Sequence, residues 1–214
     1  VLANSHRLKK REMGMYDIVD TVAVNSYVYW GSSEGYSVES RTSLPTVGAS
    51  DVVASDLNRD GRPDLLFANK SSNTSYIYWG TADGYRPNKR TALPTRNPTR
   101  CTAVDLDGDG HMDLVFAQRN AGLYKQPRAY LYWGGEDGFS TDRRSELPTS
   151  EATGVQTGDL NGDGLTDLVF VNASNFNIPT PSYIYWGDEA GKFDSGRRQD
   201  LPTGGGFYDS ADIN

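Results

Sequence analysis

This 214-residue sequence has one cysteine, two histidines and no apolar run approaching the ~18 residues that a membrane-crossing helix requires. Each shortage removes a class of protein. The single Cys101 cannot form an intrachain disulfide, so a chain that works outside the cell must be stapled by something other than cystine. His6 and His111 are too few and too isolated for a zinc site or a catalytic triad, and no G-x-S-x-G, Walker A, H-E-x-x-H or dinucleotide-binding pattern is present. Positive charge is also short: 21 Lys and Arg against 28 Asp and Glu give a net charge of −7, which argues against a nucleic-acid partner, because neutralising phosphates takes surplus cations. A hydrophobic content of 36% is low and fits a loop-rich β architecture. At the N-terminus basic residues follow the apolar ones, the reverse of a signal peptide.

What the chain does have is repetition. A Tyr-x-Tyr-Trp-Gly signature places Trp30, Trp79, Trp133 and Trp186 at intervals of 49, 54 and 53 residues. Each signature is followed by a turn with Gly and an aromatic, then by Arg and the tripeptide Leu-Pro-Thr, beginning at Leu44, Leu93, Leu147 and Leu201. An acidic stretch then resets the register. The repeat cycles run approximately 1–57, 58–106, 107–160 and 161–214 in one domain, residues 1–214.

Within a cycle the short β-branched and aromatic runs, bounded by Gly, Asn, Asp or Pro, predict strands throughout. Four of them per ~50 residues is the period of a four-stranded propeller blade. They are labelled A (before the acidic loop), B (after it), C (Tyr-Trp-Gly) and D (ending at Leu-Pro-Thr). Residues 6–15 are expected to form a short helix. Val1–Asn4 matches the start of strand B, and Asp212-Ile213-Asn214 matches the opening of another acidic loop, so the sequence reads as about four blades' worth, either a piece of a larger ring or a ring that closes on itself with this loop opened.

The acidic loop carries the chemistry. In Asp105-x-Asp107-x-Asp109-Gly110-x-x-Asp113, oxygens at positions 1, 3 and 5 converge across a turn that Gly at position 6 permits, the carbonyl of His111 at position 7 fills a gap, and Asp113 at position 9 completes the set. Oxygen-only donors suit Ca2+ rather than zinc or copper. An EF-hand would need Glu at position 12, where Phe116 stands. The pattern returns as Asp56, Asn58, Asp60 and Asp64, and as Asp159, Asn161, Asp163 and Asp167; Asp212 and Asn214 begin a partial copy. Asp-Gly hairpins need no metal, but three copies that keep the same oxygens exceed what turn chemistry demands. Three complete Ca2+ sites are therefore expected. Three divalent ions would also bring the net charge from −7 to about −1. The first loop should be the weakest, because Arg59 and Arg62 flank only three carboxylates.

On these residues the chain resembles the FG-GAP/VCBS repeats of integrin α-subunit propellers and of many bacterial secreted proteins. The resemblance implies an all-β propeller, commonly seven-bladed, with calcium in the hairpin between strands A and B, held by the loop residues above and by the carbonyls of Arg62, His111 and Leu165.

In such a blade the A–B and C–D turns share one end, and the B–C and D–A loops share the other. The acidic loop and the Gly-aromatic turn recur nearly unchanged, whereas the B–C loops differ in length and chemistry. Binding is therefore expected on the variable end, where Lys9, Lys10, Arg11, Tyr124, Arg128 and Phe176, with Arg96, Arg100, Phe207 and Tyr208 of the D–A loops, are candidate contacts for a protein or glycan. The expected role is extracellular binding, adhesion or assembly, at the cell surface or secreted, with further blades or other chains as partners. An enzyme is not expected, because the acids outside the loops are dispersed; the alternatives are a polysaccharide lyase or hydrolase domain and a structural block of a surface assembly. Asn69, Asn73 and Asn172 lie in glycosylation sequons.

Overall fold

The computed structural model describes residues 1, 3, 7–10, 16–20, 24–119, 127–173 and 180–203, by backbone alone at 7–10 and 16–20. Strands β1 (Arg7–Lys10) and β2 (Tyr16–Asp20) pair antiparallel, and so do β3 (Val24–Ser32) and β4 (Gly35–Thr46). Three four-stranded antiparallel sheets follow, each ordered along the chain. The first holds β5 (Ala49–Ser55), β6 (Asp64–Asn69), β7 (Thr74–Tyr78) and β8 (Arg90–Pro94). The second holds β9 (Pro98–Val104), β10 (Asp113–Gln118), β11 (Arg128–Tyr132) and β12 (Arg144–Pro148). The third holds β13 (Ala152–Gly158), β14 (Asp167–Asn172), β15 (Ser182–Tyr185) and β16 (Arg198–Leu201). These are the A, B, C and D strands expected, and the sheets are propeller blades; β3 and β4 are the C and D strands of a preceding blade.

Within the span 6–15, where a short helix is expected, the described part is not helical, and residues 6 and 11–15 lie outside the described residues. Arg7–Lys10 is instead a strand paired with Tyr16–Asp20. Ten residues are too few for a helix to persist without packing, and Tyr-Asp-Ile-Val-Asp offers a β-branched partner.

Strand B is the most buried element of each blade: every residue of β6 and β10 is buried. Its side chains alternate between the two neighbouring blades, so the core consists of three inter-blade clusters. Val28, Leu44, Leu65, Phe67 and Tyr78 join the first two blades, with Ala3 packed against them. Leu66, Ala68, Cys101, Phe116 and Tyr132 join the next pair, and Val115, Ala117, Leu131, Phe170 and Tyr185 the last. Phe67, Phe116 and Phe170 each meet a tyrosine of their own blade edge-on, at 5.9, 6.1 and 6.0 Å. Each fully buried large side chain contributes about 1.5–3 kcal/mol of transfer free energy. The tryptophans sit at the rim of these clusters. Their indole N–H groups donate to Thr42, Thr91 and Ser145 on the adjacent D strand, which keeps one edge of the ring outside the core.

Leu-Pro-Thr works as a latch between blades. Its leucine is buried at Leu44, Leu93 and Leu147. Its proline carbonyl accepts from the tyrosine hydroxyl of the next blade: Tyr78 to Pro45, Tyr132 to Pro94 and Tyr185 to Pro148. Its threonine hydroxyl bonds a C-strand serine of its own blade, as in Ser26 with Thr46, Ser75 with Thr95 and Ser182 with Thr203, at 2.8, 2.9 and 2.8 Å. The blade of β9–β12 breaks the rule: Ala129 stands where the others have serine, and the buried Thr149 hydroxyl has no partner among the described residues. Ala129→Ser restores the pair, so it should stabilise the chain by about 1 kcal/mol. Urea unfolding of the two forms measures this, and a destabilised variant would mean that this blade packs too tightly for the extra oxygen.

Candidate metal centre

The acidic loops join strands A and B of the three complete blades. Each is held by its own side chains before any ion is considered. The position-1 aspartate accepts from the position-6 glycine N–H: Asp56 from Gly61, Asp105 from Gly110 and Asp159 from Gly164, at 2.8, 2.8 and 2.9 Å. The residue at position 3 accepts from the N–H of position 5, as Asn58, Asp107 and Asn161 do. Position 5 in turn accepts from position 7, so Asp60, Asp109 and Asp163 take the N–H groups of Arg62, His111 and Leu165. Every step uses a short acidic or amide side chain that closes a turn onto the backbone.

The position-9 aspartates differ from the rest. Asp64, Asp113 and Asp167 are buried, with exposures of 0, 1 and 0%. One oxygen of each takes the N–H of loop position 2 (Leu57, Leu106, Leu160), and the other takes the N–H of the Tyr-Trp-Gly glycine (Gly80, Gly134, Gly187). Those glycines have no room for a side chain, because a Cβ would strike the carbonyl of Pro63, Met112 or Thr166 just before the aspartate. The glycine of the repeat signature is thus part of the loop's support, a role that its spacing from the acidic loop did not disclose.

Burial, opposed in part by these N–H groups and reinforced by Asp107 and Asp109, pushes the Asp113 carboxyl up from its ordinary 3.8 to about 6. Asp64 is raised for the same leading reason.

Asp105, Asp107 and Asp109 present oxygens that all lie within 4.8 Å of one another. No described basic side chain pairs with them, and the turn of the last blade packs Gly191 against Asp107. Three convergent carboxylates free of ion pairs are the donor set of a hard cation. In the other two loops the position-3 residue is asparagine, whose amide donates to the second oxygen of position 5, in Asn58 to Asp60 and Asn161 to Asp163. Asp60 is also paired with Arg62 at 3.2 Å.

Residues 56–116, and again 105–170, match the FG-GAP-like repeat. The chain belongs to the FG-GAP-like repeat family. No curated protein matches it. The two matched copies overlap on the loop 105–113, which makes the carboxylate cluster a candidate ion site of the kind typical of FG-GAP-like repeats.

Of the candidate contacts at the variable end, Arg96 and Arg128 are exposed and share one anchor: the buried Gln118 takes the Arg96 N–H and donates to the Arg128 carbonyl at 2.8 Å. Arg100 is turned inward and donates to the carbonyl of Ser50 at 3.2 Å. Lys9 and Lys10 lie on β1. Arg11, Tyr124, Phe176, Phe207, Tyr208 and the partial loop of Asp212 and Asn214 lie outside the described residues. Asn69 and Asn172 are fully buried at the equivalent of Gln118 and bond Thr74 and Pro181 carbonyls, so their sequons are spent on structure, whereas Asn73 is exposed.

A folded-state pKa above the unfolded one means that the folded chain binds the proton more tightly. Asp113's contribution in the metal-free chain is therefore full below about pH 4 and is lost as pH rises through about 6. Urea melts in chelator at pH 4.5 and 7 should show this fall, and Asp113→Asn should flatten it. An equal slope in the variant would assign the titration elsewhere.

Proposed function

We propose that this chain is a calcium-stabilised extracellular β-propeller module that binds a protein or glycan, in adhesion or assembly, and is not itself a catalyst. The observation that carries the reading is the Asp105, Asp107 and Asp109 cluster in a loop already folded for an oxygen-coordinated ion. Its two sister loops keep the same turn bonds with one fewer carboxylate, which supports three sites in all. Residues Asp56, Asn58, Asp60 and Asp64, Asp105, Asp107, Asp109 and Asp113, and Asp159, Asn161, Asp163 and Asp167 would hold the ions, with the carbonyls of Arg62, His111 and Leu165. A bound Ca2+ would neutralise clustered charge and tie strand A to strand B without cystine, which suits a compartment with millimolar calcium. Among the described residues the carboxyls raised by their surroundings are Asp64 and Asp113, both in these loops, which supports a structural use of acid chemistry.

The variable end is the proposed binding surface. Its exposed Arg96 and Arg128 sit on a rigid amide-anchored frame, as binding loops on a propeller require.

With a Kd on the order of 10⁻⁴ M and millimolar calcium, each site contributes about 1–2 kcal/mol. Excess EGTA should therefore lower the melting temperature by roughly 5–15 °C. An unchanged melting curve would reduce the loops to turns. For the binding end, Arg96→Glu with Arg128→Glu should abolish whatever protein or glycan signal the chain gives on an array, while Arg86→Glu, beside the Gly-aromatic turn, should spare it. Turnover of a uronic-acid polysaccharide into unsaturated ends would replace the module with a lyase.

A further inference from the structure

Loop position 4 holds glycine in two copies, Gly108 and Gly162, with φ of 72° and 78°. In the loop 56–64 the same left-handed position is occupied by Arg59, with φ of 62°. A non-glycine residue in that left-handed conformation is strained. Its side chain leaves its own loop and lies over Gly110 of the next one: a Cβ on Gly110 would have the Arg59 guanidinium carbon 3.5 Å away and a terminal nitrogen closer still. Gly110 N–H bonds Asp105 at 2.8 Å, which places the guanidinium at most about 8 Å from that carboxylate, within a Debye length. The last loop is the internal control. Its preceding neighbour carries Gly108 instead of arginine, and among the described residues nothing lies within 4 Å of where a Cβ on Gly164 would stand.

The geometry points to Arg59 as the residue that sets the cation affinity of the neighbouring loop 105–113. This rests on the calcium reading above. Four carboxylates make that loop the most acidic of the three, and the tethered guanidinium offsets part of their charge when no ion is bound and repels the ion when one arrives. At the outer bound of ~8 Å, one positive charge acting on a divalent ion in a solvated setting would weaken its binding roughly fivefold. Arg59 thereby lowers the middle loop toward its sisters.

The test is calcium titration of the full chain followed by NMR at the position-6 amides of Gly61, Gly110 and Gly164, one for each loop. Arg59→Gln should tighten the Gly110 transition about fivefold and leave Gly164 in place, and added salt should shrink the gain. Arg59→Lys should keep the wild-type value. Arg59→Gly, which suits the backbone, should tighten Gly110 as Gln does and guards against a folding defect in the first variant. Calcium binding with an unmoved Gly110 transition, or Gly110 and Gly164 shifting together, would overturn the role of Arg59 alone. A wild-type chain in which none of the three amides responds to calcium would overturn the site reading and this inference with it.

Discussion

One buried carboxylate per blade holds this fold together. Asp64, Asp113 and Asp167 each bridge the start of the acidic loop to the glycine that ends strand C, so a single side chain joins three strands and fixes where the loop points. Burying a carboxylate is costly unless hydrogen bonds meet it. Two backbone N–H groups do so only in part at Asp113, whose proton affinity remains raised. A cation seated among Asp105, Asp107 and Asp109 would remove the remaining repulsion and complete a joint that the backbone has begun.

The blades are bound to each other by a second set of contacts with the same period. Leu-Pro-Thr gives its leucine to the inter-blade core, its proline carbonyl to the next blade's tyrosine and its threonine hydroxyl to a serine of its own blade. An arginine lies over the outer tyrosine of each blade, at 4.2, 4.2, 4.1 and 4.1 Å for Arg41, Arg90, Arg144 and Arg198. Departures from the period are informative because the neighbouring copies define what is normal. Ala129 leaves a hydroxyl stranded, and Arg59 places a charge where its sisters have a hydrogen.

The blade order and the loop chemistry were legible in the sequence because both are local: strand runs, turn residues and alternating loop oxygens all fall within a dozen positions. The meaning of Leu-Pro-Thr was not, since its partners lie in other strands and other blades. Position 9 read as one more ligand, and its two bonds to backbone N–H groups became visible only in three dimensions. The short basic run at the N-terminus misled for a related reason: Arg7–Lys10 is a strand because of a partner several residues away. The sequon residues Asn69 and Asn172 are buried amide clamps, which the local pattern did not disclose. At the variable end Arg96 and Arg128 are exposed, whereas Arg100 is drawn inward by the Ser50 carbonyl.

The central claim is that these loops are cation sites and not merely turns, and counting ions tests it most directly. Native mass spectrometry of the chain, first stripped with chelator and then equilibrated in millimolar calcium, should show three calcium adducts, with one fewer in Asp109→Asn. A spectrum that stays at the metal-free mass would contradict the account.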